Sequence, residues 1–136
     1  MTEHEAEIFN DSFERCKSNP EFLDYFYKIF MDSDDEIKQK FEHTDFKKQK
    51  ASVVHSIYVL MSLVGNTANN SELEDMDRVA KLHDRAHLDV GPHLYDRFLE
   101  SILAAVKKYD RRYDGEIENA WQKMMLHGIE FMKSRY

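Results

Sequence analysis

The residues whose types and spacing could do chemistry lie in VAKLHDRAHLDVGPHLYDRFLESIL, residues 79 to 103. This stretch reads as the end of one amphipathic helix, a short turn closed by Gly91-Pro92, and the start of another. His83 falls on the apolar face of the first helix, with Val79 and Leu82 on the preceding turn, and Tyr95, Phe98 and Ile102 give the second helix a face pointing the same way. A histidine directed into an apolar seam just before a helix end is what a buried metal cofactor needs. Neutral imidazole is the commonest protein ligand for iron, and apolar walls keep such a site dry. The plainer alternative is a histidine satisfied in the core or at the surface. His87 follows four residues later, so HDRAH also has the i, i+4 spacing of a zinc pair. Zinc would want a third ligand, however, and Asp84 points about 100° away from His83 on a regular helix. Near a helix C-terminus, His87 is explained by a favourable dipole contact.

The elements that must position these residues are all helical. Residues 3 to 18 place Ile8, Phe9, Phe13 and Cys16 on one face of a first helix that ends near Asn19-Pro20. Pro20 opens a second helix, apolar almost all round, with Phe22, Leu23, Phe26, Tyr27, Ile29 and Phe30. DSDDEIKQKF offers Asp and Ser as N-caps for a short helix reaching Phe41. Phe46 starts a long helix with Val53, Ile57, Leu60 and Val64 on its apolar stripe, and Gln49 on the same stripe. GNTANNSE is a loop. Leu73 to Leu88 form the helix carrying His83, Pro92 to Tyr109 the next, and YDRRYDGE a charged turn. A last helix from about Glu116 to the C-terminus turns Ile117, Trp121, Met124, Met125, Gly128, Ile129 and Met132 inward. No period-2 segment, repeat or low-complexity tract interrupts the pattern. The class is all-α, with six or seven helices.

Composition bounds the function. A chain of 136 residues is one domain, 1–136, long enough to bury a substantial core without staples. The net charge of −7 argues against nucleic acid or an anionic membrane surface as partner. Nine Phe, seven Tyr and seven Met suit a core moulded around something large and flat, although a bundle with a bulky core explains them equally well. The single Cys16 excludes an internal disulfide and fits a reducing compartment. The acidic N-terminus is no signal peptide, and no stretch approaches the ~18 apolar residues of a membrane span. A cytoplasmic location is expected.

Four segments then act together: FYKIFMDSDDEIKQKF (26–41), QKASV (49–53), the helix with His83 followed by V-x-P-x-x-Y (90–95), and the final helix with AWQKMM and GIEFM. In order and spacing they resemble the globin family over nearly the whole chain, specifically the single-domain bacterial globins and the globin domain of flavohaemoglobins. The first is similar to the flavohaemoglobin pattern F-Y-x-R-M-F-x-x-N-P-E-L-K-x-x-F, with Asp35 in place of the Pro. The second resembles the distal Q-x-x-x-L, with Val53 as the apolar contact.

The resemblance implies a globin fold around haem b. His83 is the implied iron ligand, its other nitrogen donating to a carbonyl one turn back, near Val79 or Ala80. Phe41, Val53, Val90, Tyr95 and Phe98 are implied as cofactor contacts. Tyr27 and Gln49 are implied as distal donors that slow the loss of oxygen, at roughly 0.5–1.5 kcal/mol for a neutral hydrogen bond. His83 and His87 both remain possible ligands. His83 is favoured because its longer gap to Pro92 and Tyr95 resembles the bacterial single-domain sequences, and because Arg85 and His87 look solvated. Flavohaemoglobins place their histidine two residues closer to that tyrosine. His55, about 200° round the helix from Val53, should face solvent, and His43 is an exposed loop residue that could swing in as a sixth ligand.

The family further implies a diatomic gas ligand (oxygen, NO or CO), oxygen storage or delivery, or nitric oxide dioxygenation. The last would need a separate reductase, since the chain ends at Tyr136 with no flavin or nicotinamide domain. The flavohaemoglobin's proximal glutamate has no clear counterpart. Gas sensing would require a partner, and a monomer or homodimer is expected. The rival reading is a cofactor-free helical interaction module.

Overall fold

Helix starts in this chain are set largely by short polar side chains that satisfy the first free amides. In the computed structural model, which describes residues 1–136, seven helices follow one another with no strand: α1 Glu3–Lys17, α2 Glu21–Asp32, α3 Asp35–Lys40, α4 Phe46–Val64, α5 Asn70–His83, α6 Pro92–Tyr109 and α7 Gly115–Ser134. Thr2 and Glu5 form a reciprocal capping box at α1, and Asn69 and Glu72 form another at α5. Asp34, Asp45 and Asp114 cap α3, α4 and α7 through their carboxylates. α6 instead opens on Pro92, whose missing N–H costs nothing in the first turn.

The core has two aromatic centres. Trp121 of α7 is fully buried against Phe9 of α1, with ring centroids 4.6 Å apart, and near Phe13 and Phe22. Phe26 and Phe30 of α2 meet Phe98 of α6 at 5.4 and 5.8 Å. These contacts lay α1 on α7 and α2 on α6, and leave α4 to pack on α5 and α7. The space between α4, α5 and the α2–α6 layer is the cavity described below.

Two sequence expectations are corrected. The helix carrying His83 begins earlier than Leu73, because Asn69 and Glu72 cap it inside what had looked like loop. It also ends at His83 and does not run on to Leu88. Asp84 leaves helical geometry with ψ 173°, and the chain doubles back: the Leu88 amide donates to the Leu82 carbonyl and the Val90 amide to the His83 carbonyl, both at 3.0 Å. The Asp84 carboxylate accepts from the Ala86 amide at 3.0 Å and pairs with the His87 ring at 2.6 Å. His87 is therefore in a turn, not on the last turn of a helix, and the dipole account of it falls; its partner is Asp84.

The charged turn is where the sequence places it, between α6 and α7, and it holds one buried charge. Asp110 is that charge, 3 % exposed. It accepts from Ser12 Oγ at 2.6 Å, and from Arg15 Nε and Nη2 at 2.8 and 2.9 Å, while Trp121 Nε1 donates to Ser12 Oγ at 2.8 Å. Burial pushes the Asp110 carboxyl up, but these donors and the Arg112 amide together hold it below the usual carboxylate range. The network ties α1, the α6–α7 turn and α7 together.

Candidate functional site: a histidine-walled apolar cavity

Tyr27, Phe41, Gln49, Val53, His83, Val90, Tyr95 and Phe98, from four helices and two connections, line one cavity of about 380 Å³. That volume is within the range of small-molecule and cofactor pockets. Residues that the sequence left unassigned complete the wall, among them Phe30, Lys40, Leu60, Met76, Leu82 and Leu94. Periodicity marked Phe30 and Leu60 as apolar, but a core residue and a pocket residue carry the same signal.

His83 stands at the last position of α5, and its ring is partly buried. Nδ1 lies 2.7 Å from the Val79 carbonyl oxygen, one turn back. A carbonyl only accepts, so Nδ1 carries the proton and Nε2 keeps its lone pair. Nε2 has no hydrogen-bond partner in the chain. Burial, the larger influence, lowers the pKa of the ring below its ordinary 6.5, partly offset by the bond to Val79. His83 is thus a neutral, oriented donor with one nitrogen free. Of the two histidines in HDRAH, only His83 lines the cavity; His87 is exposed and engaged with Asp84. No group of three His, Cys, Asp or Glu is placed to hold a metal by itself, so the zinc reading of HDRAH has no third protein ligand.

Tyr27 comes from α2 and Gln49 from the first turn of α4. Gln49 Nε2 donates to Tyr27 Oη at 3.2 Å. With its oxygen accepting from the amide, the phenol is free to aim its own proton into the cavity. Burial pushes the Tyr27 phenol up to about 12, more than the Gln49 bond lowers it, so it remains a neutral donor at any ordinary pH. The Tyr27 ring is held edge-on by Phe41 at 5.6 Å and Phe46 at 5.5 Å. Phe41, the C-cap of α3, also meets Phe30 at 5.9 Å. Tyr95 is buried on α6, and burial raises its phenol to about 12.

Lys40 is the one lysine or arginine on the cavity wall, and its Nζ donates to the Leu88 carbonyl at 2.7 Å, linking α3 to the turn after His83. His55 is exposed and pairs with Asp75 at 3.2 Å; His43 is exposed in the α3–α4 turn and does not line the cavity. No helix is long and apolar enough to cross a membrane.

The wall fits a flat, mostly apolar group that carries a metal and a few acidic substituents. Aromatic and aliphatic side chains supply the slot, a single free imidazole nitrogen supplies a ligand, and the cation is beside the partly exposed Leu82 and Leu88.

Comparison with known proteins points the same way. The chain matches the Globin family profile over residues 6–129. It is 35 % identical to a protein from Pseudomonas aeruginosa PAO1 whose crystal structure is described as structurally highly homologous to a human hemoglobin. That match has a TM-score of 0.87 and covers 97 % of this chain and 98 % of the other. No curated protein matched significantly. The seven helices, the cavity they enclose and the matched span agree, and the chain belongs to the globin family, whose members typically bind haem.

Proposed function

We propose that this globin holds haem b in the cavity and uses it to bind a diatomic gas reversibly, oxygen in the first instance, with His83 Nε2 as the protein's iron ligand. The observation that carries this reading is the state of His83: neutral, oriented by the Val79 carbonyl, and with a free nitrogen on the wall of an apolar cavity. When bound, ferrous haem supplies an iron face that takes up oxygen, NO or CO.

The chain's own residues then divide the work. The Val79 carbonyl fixes the tautomer of His83 and raises its basicity toward a metal. Phe41, Val53, Val90, Tyr95 and Phe98 form apolar walls that exclude water from the slot. Lys40 offers a positive charge to the carboxylates of a porphyrin edge. Tyr27 presents a neutral O–H donor, positioned by Gln49, which favours a gas ligand that accumulates negative charge. Oxygen storage and nitric oxide removal both use this arrangement.

Haemin titrated into the purified protein tests the proposal. A saturable Soret band, and a shifted band after reduction under CO, are the expected results. A protein that stays colourless and leaves the haemin spectrum unchanged would instead be the cofactor-free interaction module. His83→Ala should remove axial ligation while the far-ultraviolet helical signal persists.

A further inference from the structure

Away from the cavity, four cations crowd into residues 107–112, at the end of α6 and in the turn that follows: Lys107, Lys108, Arg111 and Arg112. All four are exposed, and none is in an ion pair. The one carboxylate in the run, Asp110, is turned inward, where Arg15 and Ser12 engage it. Arg15 neutralises it, so the four outward cations have no free acid among them. The same carboxylate accepts from the Arg112 amide at 2.9 Å, and the Tyr113 amide donates to the Asp110 carbonyl at 3.0 Å. The buried network thereby pins the backbone from which Arg111 and Arg112 project.

Two half-buried tyrosines floor the patch. Lys108 Nζ is 4.3 Å from the centre of the Tyr25 ring and 5.7 Å from that of Tyr109, and the two rings meet edge-on at 5.6 Å. Acids on the adjoining elements are engaged elsewhere: Asp24 pairs with Lys50 at 2.8 Å, and Asp114 accepts from the Ile117 amide at 2.9 Å. Glu21, one turn before Tyr25 on α2, is exposed and unpaired and borders the patch on that side. Neither the four cations nor the two tyrosines line the cavity. The helix α6 links the two places, since Tyr95 and Phe98 wall the cavity and Lys108 stands ten residues beyond Phe98, about 15 Å along the helix.

We propose that this face docks a short acidic segment of a partner protein, its carboxylates on Lys107, Lys108, Arg111 and Arg112 and its side-chain stems on Tyr25 and Tyr109. The inference is independent of what the cavity holds. Charge selects the class of partner. Guanidinium forks take carboxylates bidentately, and tyrosine rings add rigid contact area while steadying Lys108 by a cation–π contact. A backbone already pinned by Asp110 lowers the ordering cost of binding. Size selects the length of the segment, because residues 107–112 span at most about 17 Å even if fully extended. The chain carries −7 with these four cations included, so the remaining surface is strongly acidic. A nucleic-acid strand or an anionic bilayer would overrun the patch and meet that surface within about 10 Å, the range of charge repulsion at about 0.1 M salt. A segment of a few acidic residues stays within the patch.

Fluorescence anisotropy of a labelled decaglutamate peptide, titrated with the purified protein, tests the proposal. Wild type should bind it saturably, and more weakly as salt rises. Lys107→Glu combined with Arg111→Glu should weaken binding about tenfold, the effect of losing two exposed ion pairs. Lys47→Glu combined with Lys48→Glu makes the same change of net charge on two exposed, unpaired lysines at the start of α4, and should leave the affinity within about twofold. Lys107→Gln with Arg111→Gln, which removes charge without adding repulsion, serves if the first pair does not fold. Amide shifts on addition of the peptide to ¹⁵N-labelled protein should centre on residues 107–113. Absence of saturable binding, equal losses in the two double variants, or shifts centred elsewhere overturns the docking face. Tighter binding of single-stranded RNA or of phosphatidylglycerol vesicles than of the peptide, at equal salt, overturns the acidic segment as its occupant.

Discussion

A buried imidazole serves a metal only while it stays neutral, and two features of His83 keep it so. Burial penalises the imidazolium, and the Val79 carbonyl at 2.7 Å holds the proton on Nδ1. The consequence for stability has a definite sign. In the unfolded chain the ring titrates near its ordinary 6.5; in the folded chain it titrates lower. Below the unfolded value the unfolded chain binds the additional proton, so His83 subtracts stability as pH falls below about 6.5 and contributes no such loss above it. Urea midpoints of the cofactor-free protein measured between about pH 7 and about pH 5 should drop less in His83→Phe than in wild type. Equal slopes would mean the ring is not buried. Tyr27 gives the second prediction at this scale. Losing its O–H should cost the gas complex about 1 kcal/mol, so Tyr27→Phe should speed oxygen dissociation about fivefold. An unchanged rate would remove Tyr27 from the gas side.

At the scale of the element, α5 decides where the His83 ring is placed. Its start depends on Asn69, whose side chain accepts from the Glu72 amide at 2.8 Å while Glu72 returns a bond to the Asn69 amide at 3.3 Å. Asn69→Ala should cost about 1 kcal/mol in chemical unfolding and should expose the Glu72 amide to faster hydrogen exchange. A stability unchanged within error would show that packing alone holds this end. The sequence made α4 and α6 legible to the residue, because Phe46 follows a capping Asp45 and Pro92 follows Gly91 at abrupt changes of pattern. It did not make the end of α5 legible. HDRAHL continues a helical pattern, and what stops the helix is Asp84, whose carboxylate satisfies the Ala86 amide and the His87 ring within the turn. That local competition with the helix is an ordinary property of Asp, but a sequence does not show which Asp will exercise it. The register of His83 against His87 depended on this turn. The apolar spacing that marked Phe30 and Leu60 told of burial but not of a cavity, since side chains that face a void and side chains that face each other have the same periodicity.

For the whole molecule, two aromatic centres and one buried ion pair set the frame that holds the slot open. The ion pair was invisible in the sequence, where Asp110 is one of several charges in a turn and nothing sets it apart. Only the fold brings Ser12 and Arg15 to it, 98 and 95 residues away. Asp110→Ala leaves Arg15 facing an empty, largely buried site and Ser12 without its acceptor; removing one member of such a pair typically costs about 3–5 kcal/mol. Thermal unfolding should therefore show Asp110→Ala as one of the most damaging polar substitutions in the chain, and a loss below about 1 kcal/mol, the value of an exposed pair, would contradict its role as an anchor. With that frame intact, the proposed function turns on a single nitrogen, Nε2 of His83. The most direct measurement is resonance Raman spectroscopy of the ferrous, haem-reconstituted protein, comparing wild type, His83→Gly, and His83→Gly with added imidazole. The account predicts an iron–histidine stretch in wild type, its loss in His83→Gly, and its return with imidazole. Retention of the band in His83→Gly, or its loss in His87→Gly, would contradict it.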